Sequence, residues 1–199
     1  MSSKDTLDHV IVSTWAMLKK GVTRSTDPFH QAVLATGKSN GCGLRTVILR
    51  HVDQSERILV CYTDDRSTKI SEIEQTGCAG WLFYHPRKMI QVRIHGTASV
   101  HTTDAIADHW WSKVRGFTRL SFCTEKAPGT PLSRPSSGIS QRLLKDLPKL
   151  MTSNAGRDHF AAIVGQVDYI DWLQLRPSGN VRARFQWDNG RLGASWIVP

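Results

Sequence analysis

The sequence has no apolar run near the roughly 18 residues that a membrane-spanning helix needs. Its opening, MSSKDTLDHV, lacks the basic start, apolar stretch and small-residue cleavage site of a secretion signal. A cytoplasmic protein without a membrane partner is therefore expected. Cysteine is also scarce. Cys42, Cys61, Cys78 and Cys123 stand far apart, form no C-x-x-C pair and lie, three of them, in apolar strand-like surroundings. That usage suits small buried hydrophobes in a reducing compartment, so disulfides and structural zinc are not expected. The histidines make no H-x-x-x-H pair, and no metal site is expected. No G-x-G-x-x-G follows a strand and no Walker A sequence is present, so any phosphate has to be held by side chains. Gly37-Lys38-Ser39-Asn40-Gly41 matches the G-x-S-x-G nucleophile elbow in letters only. That elbow needs a strand-to-helix turn, whereas this segment joins two strands and reads as a hairpin loop.

Acidic residues are few: 17 Asp and Glu against 26 Lys and Arg leave a formal charge of +9, which implies an anionic partner. The basic residues are scattered, as in Lys19 and Lys20, Arg87 and Lys88, or Arg182 and Arg184, with no dense tract and no helix-turn-helix, RNA-binding or zinc-finger signature. This distribution disfavours nucleic acid and favours a small anionic molecule.

What is present reads as one domain over residues 1–199, since no repeat or low-complexity run divides it. Leu7, Val10, Ile11, Trp15 and Leu18 recur at helical spacing, with Asp5 in the first turn and Gly21 as a stop. β-branched and apolar runs from Gln31 to Thr36, Leu44 to Val52 and Arg57 to Thr63 predict an antiparallel meander. A short helix from Ser67 and strands from Cys78 to Tyr84 and Lys88 to His101 follow; in the last, Ile90, Val92 and Ile94 alternate with Gln91, Arg93 and His95. Thr103-Asp104 opens a helix, and Phe117 to Gly138, with three prolines, is an irregular connection. Single strands are expected around Ile163 to Leu175 and Val181 to Trp187, with Asn189-Gly190 as a tight type I′ turn into a last strand. About seven strands with helices at the edges favour a mainly β (α+β) barrel, which removes exposed edges.

Three clusters carry chemistry, and each has a plain structural alternative. Leu44 to Arg50 places Arg45 and Arg50 five residues apart, hence on opposite faces of a strand. They are either solvated edge residues or anion ligands, one guanidinium forking onto a phosphate and the other reaching a different anion. Cys61 to Lys69 packs hydroxyls and a lysine into one turn before a helix, where Ser67 either caps the helix or binds an anion. Gln91 shares a face with Arg93 and His95, as part of a solvated face or as an amide bonding a ring edge.

In this order and spacing, RTVILR at 45–50, CYTDDRSTK at 61–69 and MIQVRIHGTA at 89–98 resemble the FMN-binding pattern of the pyridoxamine 5'-phosphate oxidase family. Similarity extends from the Asp27-Pro28-Phe29-His30 loop to the Arg-x-Arg strand near the C-terminus. The resemblance implies an FMN-binding split β-barrel, Greek-key-like, with peripheral helices, working as a homodimer with FMN between the subunits. It implies Arg45, Ser67 and Lys69 as phosphate ligands, with Thr46, Val47 and Thr68 beside them, and Tyr62 and Thr63 along the flavin and ribityl chain. Gln91 and Arg184 would contact the flavin. Substrate-contact positions would be Arg50, Arg119, Asn180 and Arg182; no catalytic side chain is implied. Vitamin B6 oxidases read Arg-Leu-His-Asp-Arg where this sequence has Asn180, Arg182 and Arg184, and they carry arginine in the slot of Thr68 and lysine in that of Arg50. The implied activity is thus an FMN-dependent oxidoreductase of the pyridoxamine 5'-phosphate oxidase type acting on an unidentified anionic small molecule, with the departures disfavouring a B6 vitamer. The alternative is a non-catalytic FMN-binding or sensing protein.

Overall fold

The computed structural model describes residues 6–38, 40–145 and 153–199. Asp5 and Ser39, both named above, lie outside them. The described chain forms nine strands: β1 (Gln31–Lys38), β2 (Gly41–Asp53), β3 (Ile58–Asp64), β4 (Cys78–His85), β5 (Ile90–His101), β6 (Phe160–Gln166), β7 (Tyr169–Gln174), β8 (Val181–Asp188) and β9 (Arg191–Ile197). The helices are α1 (Leu7–Thr23), α2 (Lys69–Thr76), α3 (Ala105–Trp111) and α4 (Gln141–Lys145).

All pairings are antiparallel, in the order β4-β1-β2-β3-β6-β5-β7-β8-β9, with β4 also paired to β5. Six strands therefore close a barrel, and the 4-1-2-3 order within it is a Greek key. β5 makes the closure. Residues 90–97 pair with β4, 90–95 also pair with β7, and 98–101 pair with β6. The barrel wall splits at this strand, with β6 continuing the barrel and β7-β8-β9 forming a wing. At the parting, Asp168 N–H donates to His95 O at 3.1 Å, and a Cβ on Gly96 would lie 1.9 Å from Gln166 O. Only glycine fits so close a backbone approach.

Alternation aims Leu34, Val47, Leu49, Leu59, Trp81, Phe83, Val92 and Ile163 into one buried core with Trp172, Ala183 and Phe185 from the wing. Each large side chain so buried contributes about 1.5–3 kcal/mol. A second cluster, Val60, Trp111, Val114, Phe122 and Phe160, seals the other face of β3 and β6 beneath α3. Asp104 opens α3 as the sequence predicts, accepting from Ala107 N–H at 2.8 Å. Asn189 and Gly190, both at positive φ, make the β8–β9 turn.

Several expectations change. Nine strands stand against the expected seven or so, and the one run that the structure divides is 163–175, a hairpin turning at Val167-Asp168 between β6 and β7. Cys42 and Cys78 are exposed, and only Cys61 and Cys123 are buried; all four are free thiols. α2 starts at Lys69, with Thr68 in the cap position and no side-chain capping bond. The 117–138 connection begins as a 3-10 turn (Gly116–Phe122) and closes through a bridge between Thr124 and Ile139. No described helix is long and apolar enough to cross a membrane.

Gly21 is not a stop. α1, capped by Thr6, runs through it to Thr23, and the glycine lets the Pro28–His30 turn approach the helix, where a Cβ would sit 2.4 Å from Phe29 O. His30 Nδ1 donates to Gly21 O at 2.7 Å and holds the contact. Gly21→Ala is expected to separate α1 from this turn and cost about 1–3 kcal/mol, read as a lower urea midpoint at unchanged slope. An unshifted midpoint would mean that the turn adjusts freely.

Candidate cofactor and anion site

α2 crosses the barrel end formed by the β1–β2 hairpin and the close of β3, and a polar network grows from its buried Glu72. Arg45 Nη2 donates to Glu72 Oε2 at 2.9 Å and Nη1 to Gly43 O at 3.0 Å, with a further bond to Thr36 Oγ1. The Thr36 hydroxyl in turn donates to Glu72, and Lys38 Nζ lies 3.3 Å from Glu72 Oε1. Burial works to raise the Glu72 carboxyl, but the hydrogen bonds from Thr36, Arg45 and Lys38 outweigh it and hold the group at about 2.

Beside this network Lys69, half-buried at the start of α2, donates to Thr63 Oγ1 at 2.7 Å and Ser67 Oγ at 2.5 Å. Burial, then the charge of Arg45, pulls its ammonium below the usual lysine range. An ammonium held between hydroxyls, with a guanidinium near it and the first turn of a helix at hand, has the donor chemistry for a phosphate dianion. The chain thus brings Arg45, Thr63, Ser67, Thr68 and Lys69 to one barrel end. Val47 is buried in the core, and Thr46 is exposed on the outer face of β2.

Arg50 faces away from this end. Pairing of β2 with β3 shifts between Leu49 and His51, a bulge that turns Arg50 and His51 together toward aromatic rings. The Arg50 guanidinium lies 5.6 Å from the centre of the Tyr62 ring, and the His51 ring lies 4.9 Å from that of Trp110, tilted by 48°. Both Arg50 and Tyr62 line a cavity of about 240 Å³ with Lys113, Arg115 and Thr118. Burial pushes the Tyr62 phenol up to about 12, so it acts there as a neutral hydroxyl. Arg119 is not in this cavity's lining. It donates to Val114 O at 3.1 Å and to Ser153 O, and its guanidinium packs 5.0 Å from the Trp111 ring, a role in pinning the 116–122 turn.

The remaining residues lie on the outer face of the sheet. Register aligns Gln91 with Tyr84, Leu173 and Arg182, and Arg93 with Leu82, Asp171 and Arg184. Arg182 forks onto the buried Asp171, Nε to Oδ1 at 3.0 Å and Nη2 to Oδ2 at 2.7 Å, while Arg93 Nη2 reaches Oδ2 at 2.6 Å. Burial works to raise the Asp171 carboxyl, but these arginines hold it below its ordinary value. Arg184 is exposed in the same row. Asn180 accepts from Arg176 N–H at 3.2 Å and closes the β7–β8 loop. Gln91 and Arg184 therefore share a face but lie in adjacent rows with β7 between their strands, on a surface distinct from the Lys69 end.

Two residues of these networks were not singled out from the sequence, Glu72 and Asp171. Glu72 is three residues after Lys69 on α2, and Asp171 interrupts an apolar alternation opposite Ile170 and Trp172. Neither carries a local signal: Glu74 follows Glu72 by two residues, Asp168 precedes Asp171 by three, and the arginines that engage them stand elsewhere in the chain.

Residues 12–102 match the family model described as pyridoxamine 5'-phosphate oxidase, FMN-binding domain. No curated protein matches the chain. Among solved structures, the fold is similar to that of a pyridoxamine 5'-phosphate oxidase-related, FMN binding protein from Nostoc punctiforme PCC 73102, at 20% identity and a TM-score of 0.74, covering 100% of this chain and 99% of that one. It is also similar to PhzG from Burkholderia lata 383, solved with tetrahydrophenazine-1-carboxylic acid, at 17% identity and a TM-score of 0.71, covering 99% of this chain and 95% of that one.

The depressed Glu72 carboxyl makes an acid-limb prediction. Because its folded value lies below the ordinary 4.5, the stability it adds is complete above 4.5 and is lost as pH falls toward about 2. Glu72→Gln is expected to flatten that part of the unfolding free energy measured between pH 5 and pH 2. Equal slopes in both proteins would show that Glu72 is not held as described.

Proposed function

We propose that this chain, whose residues 12–102 match the FMN-binding domain of the pyridoxamine 5'-phosphate oxidase family, binds FMN and works as an FMN-dependent oxidoreductase on a small organic anion. The observation that carries the reading is the half-buried Lys69 ammonium, held by Thr63 and Ser67 beside Arg45 at the start of α2. These residues would take the FMN phosphate, with Thr68 and the first N–H groups of α2. Tyr62 and Thr63 would flank the bound molecule, and Gln91 and Arg184 would meet the flavin edge. The flavin, when bound, supplies the hydride chemistry, while the protein orients substrate and sets the local charge.

A two-fold homodimer is part of the reading. The outer face that carries Gln91, Arg184 and Thr46 also exposes Leu44, Leu82 and Tyr84, an apolar patch suited to a second copy. Pairing across it would bring one subunit's Arg184 toward the other's cofactor end, which joins the two surfaces that a single chain keeps apart. For the substrate, Arg50, Lys113 and Arg115 converge on the cavity at Tyr62, and no acid is among its lining residues. PhzG, solved with a carboxylic acid, shows that this fold accommodates an organic acid in a relative. The free thiols fit a reducing, cytoplasmic setting. A non-catalytic FMN-binding role is the second reading, favoured by Arg182, which Asp171 already engages.

The purified protein is expected to keep flavin absorption bands through desalting after FMN is added. Lys69→Gln removes a charge-assisted bond worth about 1.5–3 kcal/mol and is expected to weaken FMN by roughly ten- to a hundredfold in a fluorescence titration. Wild-type affinity in that variant would overturn the phosphate assignment. Anaerobic bleaching of the bound flavin by an organic acid donor would favour the enzyme, and no bleaching by any donor that enters the site would favour the second reading.

A further inference from the structure

At the far end of β5 from Gln91, three side chains outside the cofactor and substrate clusters stand in a row. Ser99 and His101 alternate onto the same face of the strand, and Asp104 follows where β5 has ended and α3 begins. Ser99 Oγ lies 2.9 Å from His101 Nε2, and His101 Nδ1 lies 2.6 Å from Asp104 Oδ2. A carboxylate only accepts, so Nδ1 carries the imidazole proton. Nε2 of the neutral ring is then an acceptor, and the Ser99 hydroxyl donates to it.

The row is fixed from its acid end. Asp104 Oδ1 takes the Ala107 N–H at 2.8 Å as the cap of α3, which leaves Oδ2 to the imidazole. The Ala107 N–H, and then the bond to His101, hold this carboxyl below its ordinary value. The His101 side chain is only 16% exposed, whereas Ser99 is open to solvent, so the base is sheltered and the hydroxyl is accessible. Arg157, which reaches Thr102 O, is engaged there and by Asp108, and so leaves Asp104 to the imidazole. Capping α3 uses one carboxylate oxygen and needs neither the histidine nor the serine.

Two further groups flank Ser99. Val164, its register partner on β6, is partly buried and offers apolar surface. The N–H of Val100 points to the edge of β5 that β4 has left. Ala98 N–H donates to Gly77 O at 2.9 Å, alternation sends the Val100 N–H to the same edge, and the last β4 pair is Cys78 with Thr97. A backbone donor next to a nucleophile is suited to an oxygen on which charge develops.

We propose that Ser99, His101 and Asp104 form a second active site, which cleaves carboxylic esters through an acyl-serine. Ser99 Oγ attacks the ester carbonyl and passes its proton to His101 Nε2, and the alcohol leaves with that proton as its C–O bond breaks. Water then attacks the acyl carbon and gives a proton to Nε2. The bond from Oγ to the acyl carbon breaks, the proton returns to Oγ, and the acid is released. Asp104 is a positioning residue that keeps Nε2 the accepting nitrogen. No step is a redox step, and none of these residues belongs to the cofactor cluster, so the inference stands apart from the flavin reading.

The test uses full-length protein and p-nitrophenyl acetate, with nitrophenolate release followed by absorbance and acetylated positions mapped by mass spectrometry. Ser99→Ala, a change at an exposed position, supplies the background from other nucleophiles. The unsubstituted protein is expected to carry acetyl on Ser99 and to release nitrophenolate above that background, beyond a single equivalent per chain. His101→Gln is expected to slow Ser99 acetylation by roughly a hundredfold, the scale of a general base. An unmodified Ser99, or release equal to that of Ser99→Ala, overturns the site. Acetylation of Ser99 at the same rate in His101→Gln overturns the role of the base. Release that stops at a single equivalent while Ser99 stays acetylated overturns the hydrolytic half of the proposal.

Discussion

Everything in this molecule is arranged around the need of one strand to satisfy three neighbours. β5 has two edges, yet its pairing changes along its length: β4 and β7 flank its first half, and β6 takes over one edge after residue 97. A strand of twelve residues is long enough for that exchange. Closure of the barrel, the position of the wing and the two-sided burial of Val92 and Ile94 follow from it. So does the separation of surfaces, since inward side chains build the core while outward ones, Gln91 and Arg93, share the face of the wing's Asp171, Arg182 and Arg184, with Arg93 paired to Asp171.

The second organising theme is that the excess of positive charge is not spread evenly. Two buried carboxylates, Glu72 and Asp171, each collect two basic partners and fix their geometry. A buried acid with one missing partner would be strongly destabilising, so these networks hold arginines in defined directions. Where no carboxylate among the described residues pairs with them, Arg50, Lys113 and Arg115 line a cavity instead.

Much of this was legible in the sequence wherever a local rule suffices. The apolar spacing of α1, the alternation of β5, Asp104 as a cap and Asn189-Gly190 as a turn each depend on residues close in the chain. The clustering of Ser67, Thr63 and Lys69 was legible for the same reason, since they lie within one turn. The β6–β7 turn was not, because at Val167-Asp168 a single Asp, with no Gly, Pro or Asn beside it, is a weak turn signal. It is made by distant partners, Val167 N–H donating to Arg57 O at 2.7 Å and Arg57 Nη1 to Val167 O at 3.1 Å. Gly21 misled for a similar reason: a glycine that ends a helix and one that admits a neighbouring backbone look alike until the neighbour is known. Asp171 meets Arg93 across 78 residues, and Glu72 meets Thr36 across 36, so their pairing awaited the strand order.

The parting at Gly96 has an evolutionary reading. Closure is fixed by a backbone contact that tolerates no side chain, whereas the wing beyond it, β8 and β9, lies outside the closed ring and contributes to the outer face without sealing the barrel. Changes to the wing's outward residues can therefore accumulate without opening the barrel, and a lineage built on this fold can alter what it recognises while keeping how it folds.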